Sequence, residues 1–322
     1  MKLRGDWMKR KTLLGLLSAE AAVCILGAFL WGKGTAVAAE LCAFPFMQIA
    51  HGLRWLSLSG VAGNTVAIVL YVLFCAPCAV LFMVRLAQNR QQKGDFLLLA
   101  ISAALFAVVY LLIKPSLMPL LNHAVGSSML GGCIYSLLLA YAAIRLRDAV
   151  KTAKTAKLYR LMDVLLIVLC VLLTFMMFFG SIVQVREEIR LLEEGNTDVS
   201  ALHVSYLVAC LRGLVHALPY GLDVYVVFAL RDMLLALARN QRGREVYWAG
   251  VTGKRCGRAL VCITAVCAAF NVLQLLLSNT ARQLHVAVHF PVGSMLLYVG
   301  ALLLGRLVLE MKRIREENES FI

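Results

Sequence analysis

The chain has little polar sequence between its apolar runs, and no connecting segment is long enough to fold as a separate soluble domain. That absence argues against soluble functions as a class. Only 16% of the residues are charged, where soluble domains carry about a quarter. Catalytic signatures are missing as well. Gly250-Val251-Thr252-Gly253-Lys254 falls short of a phosphate-binding Gly-x-x-x-x-Gly-Lys-Ser/Thr loop, and there is neither a His-Glu-x-x-His sequence nor a nucleophile elbow. Nothing points to an enzyme, a cofactor or a resident metal.

What fills the chain instead is hydrophobic. Of 322 residues, 61% are hydrophobic, and the mean hydropathy is +0.81. The apolar residues come in blocks of about 18–25, the length that crosses a hydrocarbon core of about 30 Å. Eight blocks are predicted as crossings: residues 13–31, 62–84, 96–113, 127–144, 161–182, 206–230, 259–277 and 292–309. The expected fold class is all-α, a polytopic transmembrane helical bundle.

The net charge of +14 is placed between these blocks, on alternate sides. Counted by side, 25 of 32 Lys and Arg fall on the side of both termini, which puts the termini in the cytoplasm of a cell membrane. The charge therefore reads as orientation, with the lipid bilayer as the partner, rather than as direct nucleic-acid binding. Most of the ten cysteines lie inside apolar runs, where cysteine behaves as a small hydrophobe. Cys42 and Cys210 are placed near the outer face, where a bridge is one alternative. Cys75-Ala76-Pro77-Cys78 has redox-pair spacing, with Pro77 as the residue that would distort the helix enough to join them.

Two outer excursions stand out. Residues 32–59 interleave Phe44, Phe46, Met47, Ile49, Leu53, Trp55 and Leu56 with Gln48, His51 and Arg54, the pattern of an interfacial amphipathic segment. The second carries Glu187, Glu188, Glu193, Glu194 and Asp198 and reads as a solvated helix face. Ala36-Val37-Ala38-Ala39 has the composition of a signal-peptidase site, but the length of the preceding run favours an uncleaved first helix.

The halves, residues 1–155 and 156–322, follow one plan: four helices, an outer excursion after the first, a basic inner loop after the second. Leu86-Ala87-Gln88-Asn89 returns as Leu237-Ala238-Arg239-Asn240, and Ser128-Met129-Leu130 as Ser294-Met295-Leu296. Two four-helix repeats in the same orientation are expected. Leu237-Ala238-Arg239-Asn240 with Gly243, and the ending Arg315-Glu316-Glu317-Asn318-Glu319-Ser320-Phe321-Ile322, resemble the bacterial integral-membrane family called domain of unknown function 2975, over residues 161–322. Arg244-Glu245-Val246 stand where that family has an aromatic-hydroxyl pair. The resemblance implies four helices and a charged tail. It implies no established reaction, and some members occur in a setting like that of a membrane partner of a helix-turn-helix regulator.

Polar residues inside crossings are costly and mark candidate sites. Arg212, His216, Pro219 and Asp223 fall within roughly 60° on one helix face. Arg212 and Asp223 are about 16 Å apart along the axis, so each needs a partner elsewhere; for Arg212 the simplest fate is to snorkel to the outer interface. Glu20 is the other deep carboxylate. His123, His285 and His289 on outer turns are weak metal candidates, with Pro291 working against a helix there. Arg239, Arg242, Arg244, Lys254, Arg255 and Arg258 make the most basic inner loop, suited to an acidic partner or anionic lipid. Two functions are expected: a sensory or regulatory membrane component acting through a cytoplasmic regulator, or a transporter or permease subunit, with an ATPase partner, using the polar face of the sixth crossing.

Overall fold

A computed structural model describes residues 10–30, 42–89, 92, 94–117, 124–152, 155–196, 202–239, 243–277, 288 and 290–320. Every regular element among them is helical. By contacts the chain divides into two compact units.

The first unit joins α1 (Arg10–Leu30) to the C-terminal half of the chain. Helix α1 therefore packs with residues 154–322, whereas the sequence division at 155 grouped it with the N-terminal half. The C-terminal half comprises α7 (Thr155–Phe175), a π-helical turn (Met176–Gly180), α8 (Ser181–Glu194), α9 (His203–Ala238), α10 (Arg244–Leu277) and α11 (Val292–Ser320). The second unit holds α2 (Phe46–Ser57), α3 (Val61–Cys75), α4 (Pro77–Ala87), α5 (Phe96–Ile113) and α6 (Ala124–Thr152).

Among the described residues six helices are long and apolar enough to cross a membrane: Arg10–Leu30, Phe96–Ile113, Gly126–Lys151, Lys157–Glu194, Arg244–Leu277 and Val292–Ile314. A seventh crossing arises if α3 and α4, bent by 51° at Ala76, count as one. The sequence read one straight crossing there; Pro77 lacks the N–H that would continue α3, and the chain turns. Large apolar side chains point outward along these helices, among them Val23, Leu73, Leu139, Val261, Leu275 and Leu303. Such surface far exceeds what a soluble monomer exposes, and lipid is the solvent that accommodates it. The chain is a multi-pass helical membrane protein.

Helix α9 organises the first unit. It has 36 residues, about 54 Å of helix. Val226, Val227, Phe228, Ala229, Leu230 and Arg231 are buried in succession, so neighbours enclose the helix on all sides here. One core joins Val226, Leu230 and Met233 to Cys256, Ile263 and Phe270 of α10 and Tyr298 of α11. Another joins Val227 and Phe228 to Leu13 and Leu17 of α1 and Cys170 of α7. Enclosure explains how a helix carrying Arg212, Asp223, Arg231 and Asp232 can lie in an apolar bundle: its polar groups meet protein, not lipid. Gly243, at φ +89°, adopts a backbone that a side chain would strain.

In the second unit the expected amphipathic segment is helix α2. Phe46, Ala50 and Leu53 are buried at helical spacing, while Gln48, His51, Arg54 and Trp55 are exposed. At the start of α5, Asp95 ties that helix to its neighbours. It accepts from Arg85 at 2.7 Å and from the Gln92 N–H at 2.9 Å, and it pairs with Arg145 at 3.3 Å. Arg85 and Arg145 also share the Tyr141 hydroxyl, at 2.6 and 3.0 Å.

Candidate intramembrane site

Three features of the first unit build a cavity beside the middle of α9. Pro219 has no N–H, so the carbonyl of Val215 one turn earlier loses its usual helical donor. The π-turn adds a residue to the register between α7 and α8 and sets Ser181 Oγ 3.4 Å from His216 Nδ1. Finally, α11 begins beside the midpoint of α9, because Ser294, near its start, reaches Asp223.

The resulting cavity has a volume of about 500 Å³. Its walls are Leu169, Leu173, Val215, Pro219, Cys267, Phe290, Pro291, Gly293 and Leu297, with polar groups from His216, Tyr220, Asp223 and Ser294. Asp223 is 5% exposed. Its Oδ2 accepts a 2.8 Å bond from Ser294 Oγ, whereas its Oδ1 has no hydrogen-bond partner. The fully buried Tyr298 hydroxyl lies next to Asp223 but makes no bond of ordinary geometry. No lysine or arginine among the described residues lines the cavity.

The four residues expected to share a face separate into two sites. His216, Pro219 and Asp223 line the cavity. Arg212 does not, and it does not snorkel either. It is buried, with Nη1 2.5 Å from Glu188 Oε1 of α8 and Nη2 3.3 Å from Gln274 Oε1 of α10. Gly213 favours this: a Cβ there would stand 2.1 Å from Val185 Cγ2, so a larger residue would force the Val185 side chain or α8 to shift. The acidic excursion is thus not uniformly a solvated face. Glu187 and Glu194 pair with Arg190, and Glu188 turns inward; Asp198 lies outside the described residues.

A deeper pair escaped the sequence. Arg231, which directly follows the sixth predicted crossing, is 1% exposed and forks onto Asp163 of α7, with Nε–Oδ1 2.6 Å and Nη2–Oδ2 3.4 Å. The signal available was a carboxylate at the edge of the fifth apolar block. Glu20 is half-buried, with Oε2 shielded and without a hydrogen-bond partner; it lies near Cys24 and Cys170, not in the cavity wall.

The basic loop is mostly helix. Arg239 ends α9 in an exposed position, while Arg244, Lys254, Arg255 and Arg258 lie on the first turns of α10. Arg244, Lys254 and Arg258 are exposed; Arg255 is held over the Tyr225 ring at 4.5 Å. Arg242, His123, His285, His289 and residues 36–39 lie outside the described residues. All ten cysteines are free thiols, Cys75 and Cys78 at the α3–α4 break included. Among the described residues no three of His, Cys, Asp and Glu are grouped to hold a metal ion. No protein-family model matches the chain, and no curated protein or solved structure matches it significantly.

Proposed function

We propose that the protein is a transporter or transporter subunit of the cell membrane, with the cavity at Asp223 as its ligand site. The carrying observation is the buried Asp223 carboxylate in the wall of a cavity that no lysine or arginine among the described residues lines. A carboxylate inside an apolar bundle costs several kcal/mol in a purely structural role, and by default such a group marks a functional site. The start of a helix beside the midpoint of another supports the same reading, since binding sites of membrane carriers lie at depth where helices begin or break. In this reading the chain crosses eight times with both termini cytoplasmic, counting the bent α3–α4 pair and α9 with the six apolar helices. The two halves descend from one four-helix plan, and the chemistry is passage without covalent change.

One observation favours a second reading. Arg239, Arg244, Lys254 and Arg258 form an exposed basic surface at the inner end of α9 and α10, where a cytoplasmic regulator or an ATPase subunit would dock. The two readings separate in one experiment. Ser294→Cys, in a background without other cysteines, is exposed to small thiol reagents in right-side-out and inverted vesicles. Reaction from both sides supports transport. Reaction from one side supports a sensor with a fixed ligand site, and protection from both removes the ligand site from either reading.

A further inference from the structure

The cavity also constrains what enters it, given that it is a ligand site at all. Its one carboxylate is Asp223 and its one imidazole is His216, which Ser181 Oγ approaches at 3.4 Å; Arg212 is engaged by Glu188 and Gln274, Arg231 is engaged by Asp163, and neither lines the wall. The occupant therefore carries a single positive charge. Size excludes a bare metal ion. A volume of about 500 Å³ far exceeds any dehydrated cation, and one carboxylate with a few hydroxyls cannot supply the six or more oxygens that calcium takes. The walls exclude a hydrated ion as well, because Leu169, Leu173, Val215 and Leu297 offer nothing to a water shell.

The hydrogen-bonding pattern narrows the cation further. Ser294 donates to Oδ2 at 2.8 Å, and the Asp223 carboxylate is the one anionic group in the wall. An occupant with N–H can donate to that carboxylate; a quaternary ammonium cannot. Tyr220 and Phe290 add aromatic surface of the kind that attracts a cation over a ring. We infer that the site takes a protonated amine with a compact apolar body, its N–H donating to the Asp223 carboxylate and its hydrocarbon lying against the leucine and valine wall.

Purified protein in lipid nanodiscs is titrated by equilibrium dialysis with three probes: 1-aminoadamantane, cyclohexylamine and phenethylamine. Each is run beside the alcohol of the same skeleton. The expected result is saturable binding of at least one amine, at least tenfold weaker binding of its alcohol, and a tenfold or greater loss in Asp223→Asn. Asp223→Glu retains amine binding, and Leu297→Trp, which fills the cavity, abolishes it. Alcohols that bind as tightly as the amines, or amine binding unchanged in Asp223→Asn, overturn the amine assignment and leave the ligand site standing. Absence of Asp223-dependent binding for all three amines overturns it too. If Ser294→Cys is also unreactive from both sides of the membrane, the ligand site falls with it.

Discussion

The Arg231–Asp163 pair offers the most quantitative prediction. Both side chains are removed from solvent, at 1% and 7% exposure, and the guanidinium meets the carboxylate through two contacts of 2.6 and 3.4 Å. At about 3 Å and an effective dielectric near 20, the attraction is on the order of 5 kcal/mol. Removing one partner forfeits that attraction while leaving the other charge desolvated, so Asp163→Leu or Arg231→Met alone should cost about 3–5 kcal/mol. Removing both eliminates the stranded charge. The double variant Asp163→Leu/Arg231→Met should therefore recover most of the loss and come within about 1–2 kcal/mol of the parent. The assay is thermal unfolding of purified protein in one detergent, followed by intrinsic fluorescence. At about 2–4 °C per kcal/mol, each single variant should melt at least about 6 °C lower. Single variants that melt with the parent, or a double variant that loses as much as the two singles combined, refute the claim that these residues stabilise the bundle as a pair.

Other positions give sharper or smaller effects. Gly213→Ala should cost about 1–3 kcal/mol by driving α8 from α9, read as a lower melting temperature, with Val185→Ala as a second change that relieves part of it. Glu188→Gln should cost about 1–3 kcal/mol, less than loss of Asp163, because Glu188 is 24% exposed and water can replace part of its contact with Arg212. The Asp95 junction should make stability depend on acid. Burial acts to raise the Asp95 carboxyl, but the Gln92 N–H and the Arg85 and Arg145 guanidiniums outweigh it and hold the group below the ordinary carboxylate value. A carboxyl lowered in the folded state contributes fully above the unfolded value, near pH 4, and loses that contribution as pH falls through the folded value. The melting temperature should therefore drop in that acid range, and Asp95→Asn should flatten the drop.

Membrane class, the positions of the long helices and the amphipathic nature of residues 46–57 were legible because each depends on one chain's own periodicity and apolar length. The special character of α9 was legible as well: charges inside an apolar run need partners wherever the run is placed. What those partners are was not legible. Arg212 had two physically reasonable fates, the interface or a carboxylate, and the choice depended on Gly213 admitting α8, a packing fact between two helices. Arg231 looked like a loop charge because it comes at the end of an apolar run; its burial against Asp163 exists only once α7 lies beside α9. The basic stretch after it read as a loop because charge and helix look alike when a helix extends beyond its apolar window, as α10 does from Arg244.

The central claim is that Asp223 is kept for a ligand and not for the fold, and Asp223→Asn tests it directly by thermal unfolding of the protein without ligand. Asparagine preserves an acceptor for Ser294 and removes the buried charge whose Oδ1 has no partner. A ligand role predicts a melting temperature equal to or above the parent's, together with loss of amine binding. A fall of several degrees, reproduced by Tyr298→Phe, would contradict it and make Asp223 a structural partner of Tyr298 and Ser294.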